Sequence, residues 1–203
     1  MPNFLIEQFP EAIEINGVAY AVNTDYRVGL QIMEDMENPE WSRDELNFIV
    51  LNRLYKNPPQ DSDDFLAAIE KGMKYLNGGE MPSGSTEGKP RLYSFKKDAA
   101  LIYSAFNQTH GIDLQKEEMH WWRFQALFMD LGADTAFMSL VNLRRRHTEG
   151  KLFDEEKKLI SSMGSAFYLE ATEIWDEPDE DEIAFVNLLP EEDRKRYWEG
   201  RNG

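Results

Sequence analysis

In a chain without cysteine, chemistry falls to histidines, carboxylates and arginines, and a few short stretches set these at informative spacings. Glu117 and His120 have the Glu-x-x-His spacing that puts two metal ligands on one helix face. A di-iron bundle also needs a second such pair and further glutamates on facing helices. Neither His110 nor His147 has a glutamate three residues before it, so no metal site is assigned. His120 is expected to be hydrogen-bonded or half-exposed at a helix start. Residues 84–90 superficially resemble a phosphate-binding loop. Their glycines are wrongly spaced from Lys89, Pro90 stands where a magnesium-binding hydroxyl is needed, and no strand precedes them. The acidic run 176–182 lacks the glycine and final glutamate of a calcium loop in register, and reads as a solvated connector. Arg144, Arg145 and Arg146 could meet phosphate. At a helix C-terminus in a chain of net charge −16, they read instead as a dipole complement and partners for local carboxylates. No nucleophile-elbow pattern occurs. No catalytic, cofactor-binding or metal-binding residue is assigned, no cofactor is expected, and the expectation is a protein that is not an enzyme.

The elements that would position such groups centre on residues 119–146, the most apolar and aromatic stretch of the chain. Trp121, Phe124, Phe128 and Leu131 recur at steps of three, four and three, one face of a helix. Trp122, Ala126 and Met129 form a second apolar row, which predicts a buried central helix. Gly132 is expected to stop it. Asp134 or Thr135 can cap a following helix carrying Phe137, Met138, Leu140 and Val141. The predicted structural core is Trp121, Trp122, Phe124, Phe128, Leu131, Phe137 and Leu140. The tryptophans are assigned to that core rather than to a ligand pocket.

Upstream, residues 12–22 alternate apolar and polar on both sides of Asn16-Gly17, a strong hairpin signal. Thr24 or Asn23 can cap a helix reaching about Met36, with Tyr26, Leu30 and Met33 on one face. Ser42 and Glu45 form a capping box, with Trp41 and Leu46 as its hydrophobic staple. That helix carries Leu46, Ile49, Val50 and Leu54 and ends before Pro58-Pro59. A third begins near Ser62 with Phe65, Ile69, Met73 and Leu76 as its buried row, and closes at Asn77-Gly78-Gly79. Downstream of a Gly/Ser/Pro-rich stretch, a helix is expected to carry Phe95, Ala99, Ile102 and Phe106. Another is expected over residues 153–170 with Leu159, Ile160, Met163 and Phe167, weakened by Gly164. The predicted class is α+β, mostly α-helical, with a small N-terminal β-hairpin followed by a helical bundle. The expected organisation is 1–77, hairpin plus three helices; 78–91, flexible linker or loop; 92–175, central helical region; and 176–203, acidic connector and C-terminal helical segment. These are compatible with one domain.

The chain has 203 residues, 41% hydrophobic and 12% aromatic, enough for a real core. The absence of cysteine excludes disulfides and fits a reducing compartment. No long apolar run predicts a membrane span, and the N-terminus does not read as a signal peptide. No nucleic-acid or membrane partner is expected, because the acidic balance repels phosphate backbones. It also keeps a protein dispersed and can attract basic partners.

Residues 95–98, LIYSAF at 101–106, GIDL at 111–114, HWWRFQAL at 120–127 and the segment 135–144 together resemble a bacteriophage family, the gene-product-fifteen family of long-tailed phages and prophages of Gram-positive bacteria. This chain has His110 where the family usually has tyrosine. The resemblance is close over about 93–146 and looser toward the N-terminus. It implies no catalytic residues. From the family's gene position, between tail-tube and tape-measure genes, it implies a tail assembly chaperone acting in the host cytoplasm. Its partner would be the tape measure protein, with other tail proteins as further candidates and self-association open. The alternative implied role is a structural tail or connector component of the virion.

Overall fold

The Asn16-Gly17 turn shows why a hairpin forms: both residues take the left-handed conformation, φ 47° and 83°, which matches the twist of the strands they join. The computed structural model describes residues 3–80, 90–169 and 194. In chain order its main elements are β1 (Ala12–Ile15), β2 (Val18–Ala21), α1 (Tyr26–Met36), α2 (Arg43–Leu54), α3 (Ser62–Leu76), α4 (Ala99–His110), α5 (Trp121–Met129), α6 (Ala136–Thr148) and α7 (Asp154–Met163). The class is α+β and mostly helical. The described residues fall into two units, 3–23 with 38–80 and 194, and 24–37 with 90–169. In this grouping α1 joins the downstream helices. Most of the expected linker, 81–89, and the expected terminal segment apart from Arg194 lie outside the described residues.

In the first unit, β1 and β2 pair antiparallel, Ile13 with Tyr20 and Ile15 with Val18. Ile13 and Ile15 point into the core. The chain after β2 is tied to the end of α2: Lys56 N–H donates to Ala21 O at 2.9 Å and Asn23 N–H to Leu54 O at 2.7 Å. The capping box of α2 is present, Ser42 N–H donating to Glu45 Oε2 at 2.9 Å. The buried side of α3 differs from the expected row. Ala68, Gly72, Tyr75 and Leu76 are buried, while Ile69 and Met73 are half-buried and Phe65 is exposed. The cause is close helix packing, since a Cβ on Gly72 would lie 3.1 Å from Leu54 Cδ2.

In the second unit, α1 and α5 are laced together at their starts. Trp121 N–H donates to Thr24 O at 2.7 Å and Tyr26 N–H to Met119 O at 3.1 Å. Thr24 is thereby held ahead of the helix, and the cap is Asp25, which accepts from Arg27 N–H at 2.7 Å, rather than Thr24 or Asn23. Gly29 lies against the Trp121 indole, where an added Cβ would fall 2.3 Å from Cε3.

Other expectations are corrected here. Phe95 lies in a turn before α4, whose end at Gly111 is left-handed, φ 67°. α5 stops at Met129, before Gly132. Gly132 serves close approach instead: its N–H donates to Thr109 Oγ1 at 3.1 Å, and a Cβ would fall 2.7 Å from Asp134 Oδ1. The second row of α5 is not all buried, because Ala126 and Met129 face outward, so this helix has a solvent side. Thr135 is the cap of α6, accepting from Met138 N–H at 3.2 Å. α7 ends at Gly164, φ 55°, followed by a 3-10 turn, so no single helix runs from 153 to 170. Leu159 is exposed, whereas Ile160 and Phe167 pack with Leu140 and Leu143.

Candidate interaction surface

The aromatic residues singled out in the sequence form the interior of the second unit. Trp121, Trp122, Phe124, Leu131, Phe137 and Leu140 are buried and Phe128 is half-buried. Phe124 is the centre. Its ring stacks on Tyr26 at 5.1 Å, on Phe106 at 5.0 Å and on Trp121 at 5.6 Å between centroids. Phe128 continues the array to Phe95 and Phe137. This arrangement fills space with carbon.

Glu117 and His120 are each committed elsewhere. Glu117 pairs with Arg123 at 3.5 Å, and His120 Nδ1 accepts from Trp122 N–H at 3.0 Å as the cap of α5. Among the described residues, no group of three or more histidines and carboxylates could hold a metal ion. His110, at the position where the resemblance noted a tyrosine, places Nε2 2.9 Å from Leu127 O.

Of the three arginines, Arg144 is not a surface dipole complement. It is buried, and so is its partner Asp98. The guanidinium donates bidentately to that carboxylate, Nη1 to Oδ2 at 2.6 Å and Nη2 to Oδ1 at 3.0 Å. Its remaining donors reach three backbone carbonyls: Nε to Phe167 O at 2.7 Å, Nη1 to Leu92 O at 3.1 Å and Nη2 to Ala166 O at 3.3 Å. Asp98 also accepts from Ser94 N–H at 3.0 Å. Arg146 pairs with Glu156, and Arg145 is exposed. Arg144 therefore ties loop 92–98, α6 and the turn after α7 together and cannot present its charge to a ligand.

Among the described residues, the most exposed large apolar side chain on a helix of the first unit is Phe48 on α2, 66% exposed. α2 buries Leu46, Val50, Leu51 and Leu54 on one side. On the other, Trp41, Asp44, Glu45, Phe48 and Ile49 line an open groove of about 500 Å³. Trp41 therefore contributes to this outer face and is 37% exposed, a role the expected staple with Leu46 did not anticipate. Phe48 was legible only as an apolar residue out of phase with the buried row, seven residues after Trp41. Glu45 accepts from the Ser42 amide and hydroxyl, and these bonds, the amide first, hold its carboxyl below the usual range, so its charge persists into mild acid. No helix among the described residues is long and apolar enough to cross a membrane.

The described residues thus form an acidic, mostly helical scaffold whose central aromatic residues are packed together and whose α2 leaves Phe48 outward. The chain belongs to the family described as Bacteriophage Gp15 protein, whose model matches residues 5–169. That match spans both units and makes this a phage protein of the structural, tail-region kind. Among curated proteins and among solved structures, nothing matches it.

Proposed function

We propose that this protein is a tail assembly chaperone. It covers the apolar helical stripes of the tape measure protein in the host cytoplasm until the tail tube polymerises around it. The observation that carries the reading is family membership across residues 5–169. Two physical features agree with it. An exposed apolar helix aggregates unless another protein covers it, and helix-in-groove packing supplies such a cover. A coat of net charge −16 keeps the covered assembly dispersed. The role needs no catalytic group, and the reading is non-enzymatic.

The test is co-expression with the tape measure protein encoded nearby. Alone, that protein is expected to be largely insoluble. With this chain it becomes soluble and copurifies, with several copies per tape measure, because a helix rises only about 1.5 Å per residue and one small domain covers a short part of it. The complex is expected to survive high salt, since apolar packing carries the affinity and charge mainly the encounter rate. Failure to solubilise or copurify, with both proteins well expressed at every salt concentration, overturns the reading.

A further inference from the structure

We propose that residues 164–168 are a strap that detaches as a unit about Gly164 and, on release, uncovers apolar surface on α6. This is a conformational device of the second unit, and it stands independently of the tail-assembly reading.

The strap hangs on one anchor. Between Ser161 and Leu169 the only buried residue is Phe167, which packs with Leu140 and Leu143 of α6 and Ile160 of α7. One local backbone bond, Phe167 N–H to Gly164 O at 3.2 Å, closes the turn. Beyond it, side chains of other elements hold the strap's carbonyls. Arg144 Nε donates to Phe167 O at 2.7 Å, Arg144 Nη2 to Ala166 O at 3.3 Å, and Lys97 Nζ to Tyr168 O. A segment with one buried side chain and no ladder of backbone hydrogen bonds lies at the low end of local stability.

Release of the strap leaves no buried charge without its partner. Arg144 keeps both bonds to Asp98 and its bond to Leu92 O, because these run to the other side of α6, toward loop 92–98. The donors and carbonyls that part from one another meet water instead. Moving loop 92–98 would part Arg144 from Asp98, which is the costly break for a buried pair. Gly164 supplies the hinge. It ends α7 at φ 55° and ψ −133°, a region open to glycine and strained for any residue with a side chain. A Cβ added there meets nothing within 4 Å, so alanine at 164 acts through the backbone alone. Alanine therefore disfavours the closed strap without disturbing its contacts.

The test uses the absence of cysteine, which makes any introduced thiol a single reporter. Leu143→Cys places it beneath the strap, and Ile32→Cys, fully buried on α1, is the reference. Thiol modification is followed in the full chain at rising, sub-denaturing urea. Leu143→Cys is expected to react faster than Ile32→Cys and with a shallower dependence on urea, because little surface opens. Adding Gly164→Ala should speed the Leu143→Cys reaction about tenfold, the scale of holding a residue in a disfavoured backbone region, and leave its urea dependence shallow. Hydrogen exchange should show the amides of α7 protected on the timescale of that reaction. Should Leu143→Cys fail to fold, Leu140→Cys reports from the same cluster. A reaction as slow and as steep in urea as that of Ile32→Cys would show that the strap opens only when the whole unit unfolds, and overturns the proposal. No acceleration by Gly164→Ala overturns it too. So does loss of α7 protection at the rate of thiol modification, which would assign the opening to that helix.

Discussion

Replacing Phe124 with alanine is expected to cost about 3–5 kcal/mol, the range for removing a large buried ring from a packed core. Phe124 is 1% exposed and stacks on Tyr26, Phe106 and Trp121, which come from three different elements or their first turns. Its loss strips contact from all of them at once. The surroundings are poorly placed to collapse into the space, because α1 is already pressed against α5 where Gly29 meets Trp121. Thermal melting should show the midpoint falling on the order of 10 °C for a chain of this size. An unchanged midpoint would mean that this face of α5 carries no core.

Asp98→Ala is expected to cost a similar amount, about 3–5 kcal/mol, because it leaves a buried guanidinium without its counter-charge. A buried ion pair can often be exchanged for apolar residues at little loss. Here the exchange is not neutral. Arg144 also holds the carbonyls of Leu92, Ala166 and Phe167, and a buried carbonyl left without a donor costs about 1–3 kcal/mol. The double variant Asp98→Leu with Arg144→Met should therefore be less destabilised than the sum of the single variants, yet remain well below wild type. Chemical denaturation of the three variants measures this. A double variant as stable as wild type would show that the carbonyl contacts contribute nothing.

Local signals in the sequence were legible where a few neighbouring residues determine the backbone. Asn16-Gly17 specifies a turn, Ser42 and Glu45 specify a helix start, and Thr135 caps α6. Three kinds of feature were not legible. Small residues carry no apolar signal, so the sequence pattern points to Phe65 and Met73 rather than to the Ala68 and Gly72 side of α3. Gly132 resembled a helix stop but is required by its neighbours Thr109 and Asp134. Partners distant in sequence were invisible. Arg144 looked like a surface charge because Asp98 lies 46 residues away. The α2 groove was hidden for a related reason. Apolar residues on both faces of one helix blur its period, so the pattern groups Ile49 with the core and leaves Phe48 unassigned.

Membership of the Bacteriophage Gp15 protein family fits both an assembly factor and a part of the finished tail. An assembly factor leaves once the tube closes, whereas a structural component stays at fixed stoichiometry. Quantitative mass spectrometry of purified virions, with the infected-cell lysate as reference, separates them. The chaperone account predicts this chain abundant in the lysate and absent from virions. A constant whole-number copy per virion through successive purification steps would contradict it and assign the protein to the tail itself.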